Sequence, residues 1–171
     1  VISIWSRTGN TVRITVAPIE GDREAAVAET GALVEFRNRR VASARTQAAF
    51  KRVQAGDISI RYTPSPPTLH IEGAKGAPLQ TLMMDASAPG FSFTLGDGPL
   101  LGLGEGGPQF DRRGAIDPMR AGQAGYRLAT HGTRAPVQWL IGTANGWAMF
   151  VHQPYGAFDL SGCLRVLHHV R

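Results

Sequence analysis

The chain has 171 residues, 43% of them hydrophobic and 18% charged, with a net charge of +5. That length and apolar content suit one globular domain that builds its core without staples, and no apolar run is long enough for a membrane helix. The single cysteine, Cys163, excludes a disulfide framework and a cysteine metal motif.

The basic residues Arg37, Arg39, Arg40, Arg45, Lys51 and Arg52 form one stretch that suits phosphate by charge alone. They are interleaved with alanines, and no nucleic-acid signature accompanies them, so no nucleic-acid partner is expected. No membrane partner is expected either. No signal-peptide pattern is visible, but the chain starts at Val1 rather than Met. Periplasmic, secreted and cytoplasmic placements therefore all stay open.

In chain order, the dominant period is two. Val12, Ile14 and Val16 alternate with Arg13 and Thr15. Residues 23–29 are alanine-rich and short, and read as loop or strand. Ile58, Ile60 and Tyr62 alternate with Asp57, Ser59 and Arg61. Leu69 and Ile71 flank His70, and Phe91, Phe93 and Leu95 alternate with Ser92 and Thr94. Each pattern predicts a strand with one face on a core and one in water. Gly56-Asp57, Pro64 to Pro67, Gly73 to Pro78 and Pro89-Gly90 supply the turns. Residues 137–142 and 147–152 predict a hairpin joined through Asn145-Gly146, a good tight-turn dipeptide. Apolar residues on both of its faces predict a central, covered pair. The 21 glycines and 11 prolines fit many turns. The expected fold is an all-β antiparallel sandwich, one domain over residues 1–171.

The stretch "GLGEGGPQFDRRG", residues 102–114, does not look like core. Glycine-rich polar loops between apolar runs are common places for a site. No G-x-S-x-G is present, which removes a nucleophile elbow. "GLGEGG" runs into Pro108 in a β context, whereas a dinucleotide loop needs a following helix. His168 and His169 point apart on a strand and His70, His131 and His152 are scattered, so no metal is expected. Glu105, Asp111 and Asp117 are the paired-carboxylate candidates for glycoside chemistry. Arg112 and Arg113 beside Asp111 favour its ionised form, which suits structure or sugar positioning better than a general acid.

"PLLGLGEGGPQFDRRG" after "FSFTLGDG", followed by "PVQWLIGTANGWAMFVHQPYGAFDL", resembles the N-terminal domain of glycoside hydrolase family 31, the α-glucosidase and α-xylosidase family. "DISIRYTPSPPTLHIEGAKGAPL" is similar to that family's opening strands. The resemblance covers residues 57–162, while residues 1–56 carry no motif.

The resemblance implies a galactose-mutarotase-like β-sandwich that precedes a (β/α)8 barrel. The barrel carries an aspartate nucleophile and an aspartate acid/base, and that motif has no counterpart in these residues. The partners implied are an α-linked glycoside or oligosaccharide and the catalytic barrel of the parent protein, with no cofactor and no metal. Glu105, Asp111 and Arg113 are then expected to anchor the glycine-rich loop. Gln123, Tyr126, Arg127 and His131 are the expected substrate-rim residues.

After Gly162, "CLRVLHHVR" departs from the family pattern. Residues 163–171 are expected to be an atypical tail that does not close the sandwich. The expected cause is a chain interrupted near Gly162 by design or by a reading-frame change. The alternative is a stand-alone carbohydrate-binding module without hydrolytic activity. A severed sandwich with an exposed barrel-facing surface is expected to self-associate.

Overall fold

A computed structural model describes residues 1–26, 39–44, 51–85, 90–106, 109–119, 134–153, 156–162 and 164–168. The chain is all-β in antiparallel sheets, as the expected sandwich requires, and divides into two compact units, Val1–Pro78 and Leu79–Arg171.

In the first unit, β1 (Ile2–Thr8) and β2 (Thr11–Val16) form a hairpin with Ile4 opposite Ile14. The two-residue strands β3 (Ile19–Glu20) and β4 (Arg23–Glu24) close a second hairpin through Gly21, so the start of the alanine-rich stretch is strand. Residues 27–29 lie outside the described residues. β5 (Arg39–Ala44) pairs with the other edge of β1, which makes β1 central and buries Ile4 and Ser3. β2 is an edge strand, and Val16 at its end is exposed although the alternation places it on the core face.

β6 (Arg52–Ala55), β7 (Ile58–Pro64) and β8 (Pro67–Glu72) form a meander. Ala55, Ile58, Ile60, Tyr62 and Leu69 are its core. The alternation in β7 predicts Ser59 in water, yet it is buried. Arg52 reaches over it, donating from Nε to Ser59 Oγ at 2.6 Å and from Nη2 to Glu72 at 2.7 Å. The turn at Gly56-Asp57 is fastened to the first hairpin by Asp57 N–H to the Gly9 carbonyl, 2.6 Å. Gly56 has φ +63°, and a Cβ there would run into the Gly9 backbone. Of the basic stretch, Arg40 and Arg52 each pair with a glutamate, Glu24 at 2.9 Å and Glu72 at 2.7 Å. Arg40 also lies 4.9 Å over the Trp5 ring.

The second unit contains β9 (Pro78–Met84), β10 (Phe91–Thr94), β11 (Leu100–Glu105) and β12 (Ile116–Asp117). It continues with β13 (Ala135–Gly142), β14 (Trp147–Phe150), β15 (Ala157–Asp159) and β16 (Leu164–His168). Neighbours run β12-β15-β16-β10-β9 in one sheet and β11-β13-β14 in another. Gln80 extends the β9–β10 ladder with its side chain. Its Oε1 accepts the Thr94 N–H at 2.7 Å, and its Nε2 donates to the Thr94 carbonyl at 2.9 Å.

Phe93, from one sheet, meets Trp147, from the other, edge to face at 6.2 Å. Gly142, opposite Trp147, leaves the room that indole needs, because a Cβ there would collide with the ring. Leu95, Leu100, Leu103, Leu140, Phe158 and Leu160 complete the core.

Two expectations need correction. The hairpin at Asn145-Gly146 forms, but β14 is an edge and the pair is covered on one face only. Trp139 and Val137 point outward and are exposed, because the β11-β13-β14 sheet has one buried side. Residues 164–168, part of the expected atypical tail, form strand β16. β16 lies between β10 and β15, with Ser92 opposite Val166 and Phe158 opposite Leu167.

Candidate functional site

The site begins with the backbone of β11. Gly102 and Gly104 have φ of +104° and +81°, and the buried Leu103 between them has φ +60°. Left-handed conformations cost little for glycine and more for leucine. A Cβ at Gly102 would strike the Trp139 carbonyl, and one at Gly104 the Ala135 carbonyl. The glycines therefore bring β11 against β13 of the same sheet. The ladder slips between Gly102, opposite Leu140, and Gly104, opposite Pro136. At the slip, β11 carbonyls leave the ladder and need donors from elsewhere.

Arginines supply them. Arg112 donates from Nε to the Gly102 carbonyl and from Nη2 to the Gly104 carbonyl, each at 2.9 Å. Arg134 donates from Nη1 to the Glu105 carbonyl at 2.7 Å. Arg113 donates to the carbonyls of Gly96 (2.8 Å) and Gly98. Asp111 Oδ1 accepts the N–H groups of Leu100 at 2.9 Å and Arg113 at 3.0 Å. These two backbone bonds, helped by the Arg113 charge, hold the Asp111 carboxyl below its ordinary range despite some burial. Gln109 Nε2 closes the loop on the Arg113 carbonyl at 2.8 Å. Consecutive residues 111, 112 and 113 are thus each tied down, while Phe110 beside them is 84% exposed.

Behind the loop lies a buried ion pair. Arg134 Nη2 bonds Asp117 Oδ2, and the two residues are 1% and 3% exposed. Asp117 Oδ1 accepts the Met119 N–H at 2.9 Å.

Of the residues expected to anchor the loop, Asp111 bonds the Leu100 and Arg113 N–H groups and Arg113 bonds the Gly96 and Gly98 carbonyls. Glu105 contributes its carbonyl, while its side chain is exposed. Gln123, Tyr126, Arg127 and His131 lie outside the described residues. Sequence reasoning did not single out Arg134, and it read Arg112 only as a cation beside Asp111, not as a donor to β11 carbonyls. The signal available was the "DRR" run after a glycine-rich strand, since positive-φ glycines turn carbonyls out of a ladder and guanidinium groups donate to them.

Chemically, Asp111 is committed to the Leu100 and Arg113 N–H groups, and Asp117 to the Met119 N–H and Arg134. Among the described residues, no three of His, Cys, Asp and Glu group as metal ligands, and no helix is long and apolar enough to cross a membrane. Searches of protein-family models, curated proteins and solved structures return no match to this chain.

Proposed function

We propose that the chain is the non-catalytic, galactose-mutarotase-like sandwich portion of a retaining α-glycosidase of the family 31 type. It supports the catalytic barrel and lends the polar segment from Arg112 to His131 to the rim of the sugar pocket. The observation that carries the reading is the staple at Asp111, Arg112 and Arg113, which fixes the start of that polar segment on a rigid sheet. Positioning loops work when a supporting shell locks them. In the parent reaction, barrel aspartates hydrolyse an α-linked sugar through a covalent glycosyl-enzyme. Gln123, Tyr126, Arg127 and His131 offer hydroxyl-binding groups and one ring face to the substrate.

The test is to sequence the coding DNA beyond codon 171 in all three frames and to assay this chain alone on aryl α-glycosides. The reading expects a continuing frame with alternating strands and helices and aspartates at strand ends, and no hydrolysis by the 171 residues. Turnover by the isolated chain, or no such frame, overturns it.

One observation favours the second reading, a carbohydrate-binding module. Trp139 is 43% exposed and sits 6.2 Å from Phe150, which is 6.1 Å from His152, so three rings line up on one sheet face. Trp147 is buried against Phe93 and Trp5 lies under Arg40. Quenching of Trp139 fluorescence by an α-glucan, lost in Trp139→Ala, supports this reading, and no response at high glucan concentration removes it. The same face is the expected route of self-association for the isolated chain, read by light scattering against concentration.

A further inference from the structure

Buried charge is unbalanced behind the loop. Arg112, Arg134 and Asp117 are 8%, 1% and 3% exposed. Two cations therefore share one carboxylate away from water, and only Arg134 is hydrogen-bonded to it. Arg112 commits Nε and Nη2 to carbonyls, and its buried Nη1 has no acceptor among the described residues. Arg134 commits Nη1 and Nη2, and its buried Nε has none among the described residues.

The two side chains belong to one cluster, since they bond the carbonyls of successive residues, Gly104 and Glu105. Burial lowers the Arg112 pKa first and the neighbouring Arg134 lowers it further, with Asp117 opposing both. Residues 107–108 and 120–133, which flank the cluster in sequence, contain no Asp or Glu. A buried donor without an acceptor is costly, and a buried cation without a counter-charge more so.

We infer that this cluster holds one small monovalent anion, of chloride size, against Arg112 Nη1 and Arg134 Nε. A water molecule satisfies the two donors but leaves the surplus charge. An anion satisfies both and turns two cations and one carboxylate into a neutral set, through charge-assisted bonds. The inference does not depend on the glycosidase reading. Its consequence is that the order of the glycine-rich strand and its loop is linked to halide concentration.

The experiment measures the Tm of the wild-type chain in sodium chloride against sodium gluconate at matched sodium and ionic strength. A ligand that binds only the folded state raises Tm with its logarithm, here by about 3–5 °C per tenfold rise in chloride above its Kd. In crystals soaked in sodium bromide, an anomalous peak is expected within hydrogen-bonding distance of both orphan nitrogens. Arg112→Met should lose the chloride dependence, whereas Arg113→Met, whose guanidinium serves Gly96 and Gly98, should keep it.

Equal Tm in the two salts overturns the inference, as does a water at the two nitrogens or bromide bound only elsewhere. A peak at the site without chloride dependence in solution marks an adventitious ion only, and overturns it as well. Because the salt comparison uses the unaltered chain, a variant that fails to fold does not decide the outcome.

Discussion

Arg134→Met tests how much the second unit depends on its buried ion pair. The substitution leaves the Asp117 carboxylate, 3% exposed, with only the Met119 N–H, and strips the Glu105 carbonyl of its donor. Removing one partner of a buried pair costs about 3–5 kcal/mol; here the carboxylate loses its hydrogen-bonded cation and keeps only the more distant attraction of Arg112. For a chain of this size each kcal/mol lowers Tm by about 2–4 °C, so the expected loss is about 6–20 °C.

Asp117→Asn added to Arg134→Met removes the carboxylate that has lost its hydrogen-bonded cation while keeping an oxygen for the Met119 N–H. The double variant should therefore be more stable than Arg134→Met alone, with a coupling of about 0.5–3 kcal/mol. Urea unfolding followed by tryptophan fluorescence reads this, since Trp139 and Trp147 lie in the second unit. Circular dichroism must give a coincident transition before one free energy is assigned to a two-unit chain. The salt is held constant throughout. A loss below about 1 kcal/mol for Arg134→Met, the scale of a single ordinary hydrogen bond, would refute the reasoning. Strict additivity in the double variant would do the same.

Three further outcomes are expected. Gly104→Ala combines φ +81° with a Cβ driven into the Ala135 carbonyl, whereas Gly146→Ala has φ +63° and open space. The first should cost more than the second, which carries only the left-handed penalty of about 1–2 kcal/mol, and equal urea midpoints would remove the close-approach explanation. Asp111 has a folded pKa below its usual 3.8, so its contribution is present above that value and is lost as pH falls through the lower folded pKa. Asp111→Asn keeps an acceptor but not the charge, and should flatten the acid limb of Tm against pH below about 3.8. Burial first, then Arg61, lowers the His70 pKa below 6.5 against the opposing pull of Glu72. Stability from this group is therefore present above pH 6.5 and declines as pH falls toward the folded value. An NMR titration placing His70 at or above 6.5 would contradict that environment.

The sequence by itself determined the strands at β7, β8 and β10, the hairpin at Asn145-Gly146 and the all-β class. Alternation and turn chemistry act over a few neighbouring residues, so they are legible without knowing partners. It also pointed to residues 102–114, with Glu105, Asp111 and Arg113 as expected anchors. What the glycines at 102 and 104 approach was decided only by pairing with β13, whose residues lie more than thirty positions away.

Burial was decided the same way. Nothing in the local pattern marks Arg112 or Arg134 for burial, and only the ladder slip in β11 creates the carbonyls that draw them inward. Trp139 and Val137 read as core, yet they face outward because the sheet that contains them is covered on one side. Residues 164–168 read as a tail, yet they fill the space between β10 and β15. In each case the deciding contact joins residues distant in sequence, and local pattern carries no information about which distant strand will arrive.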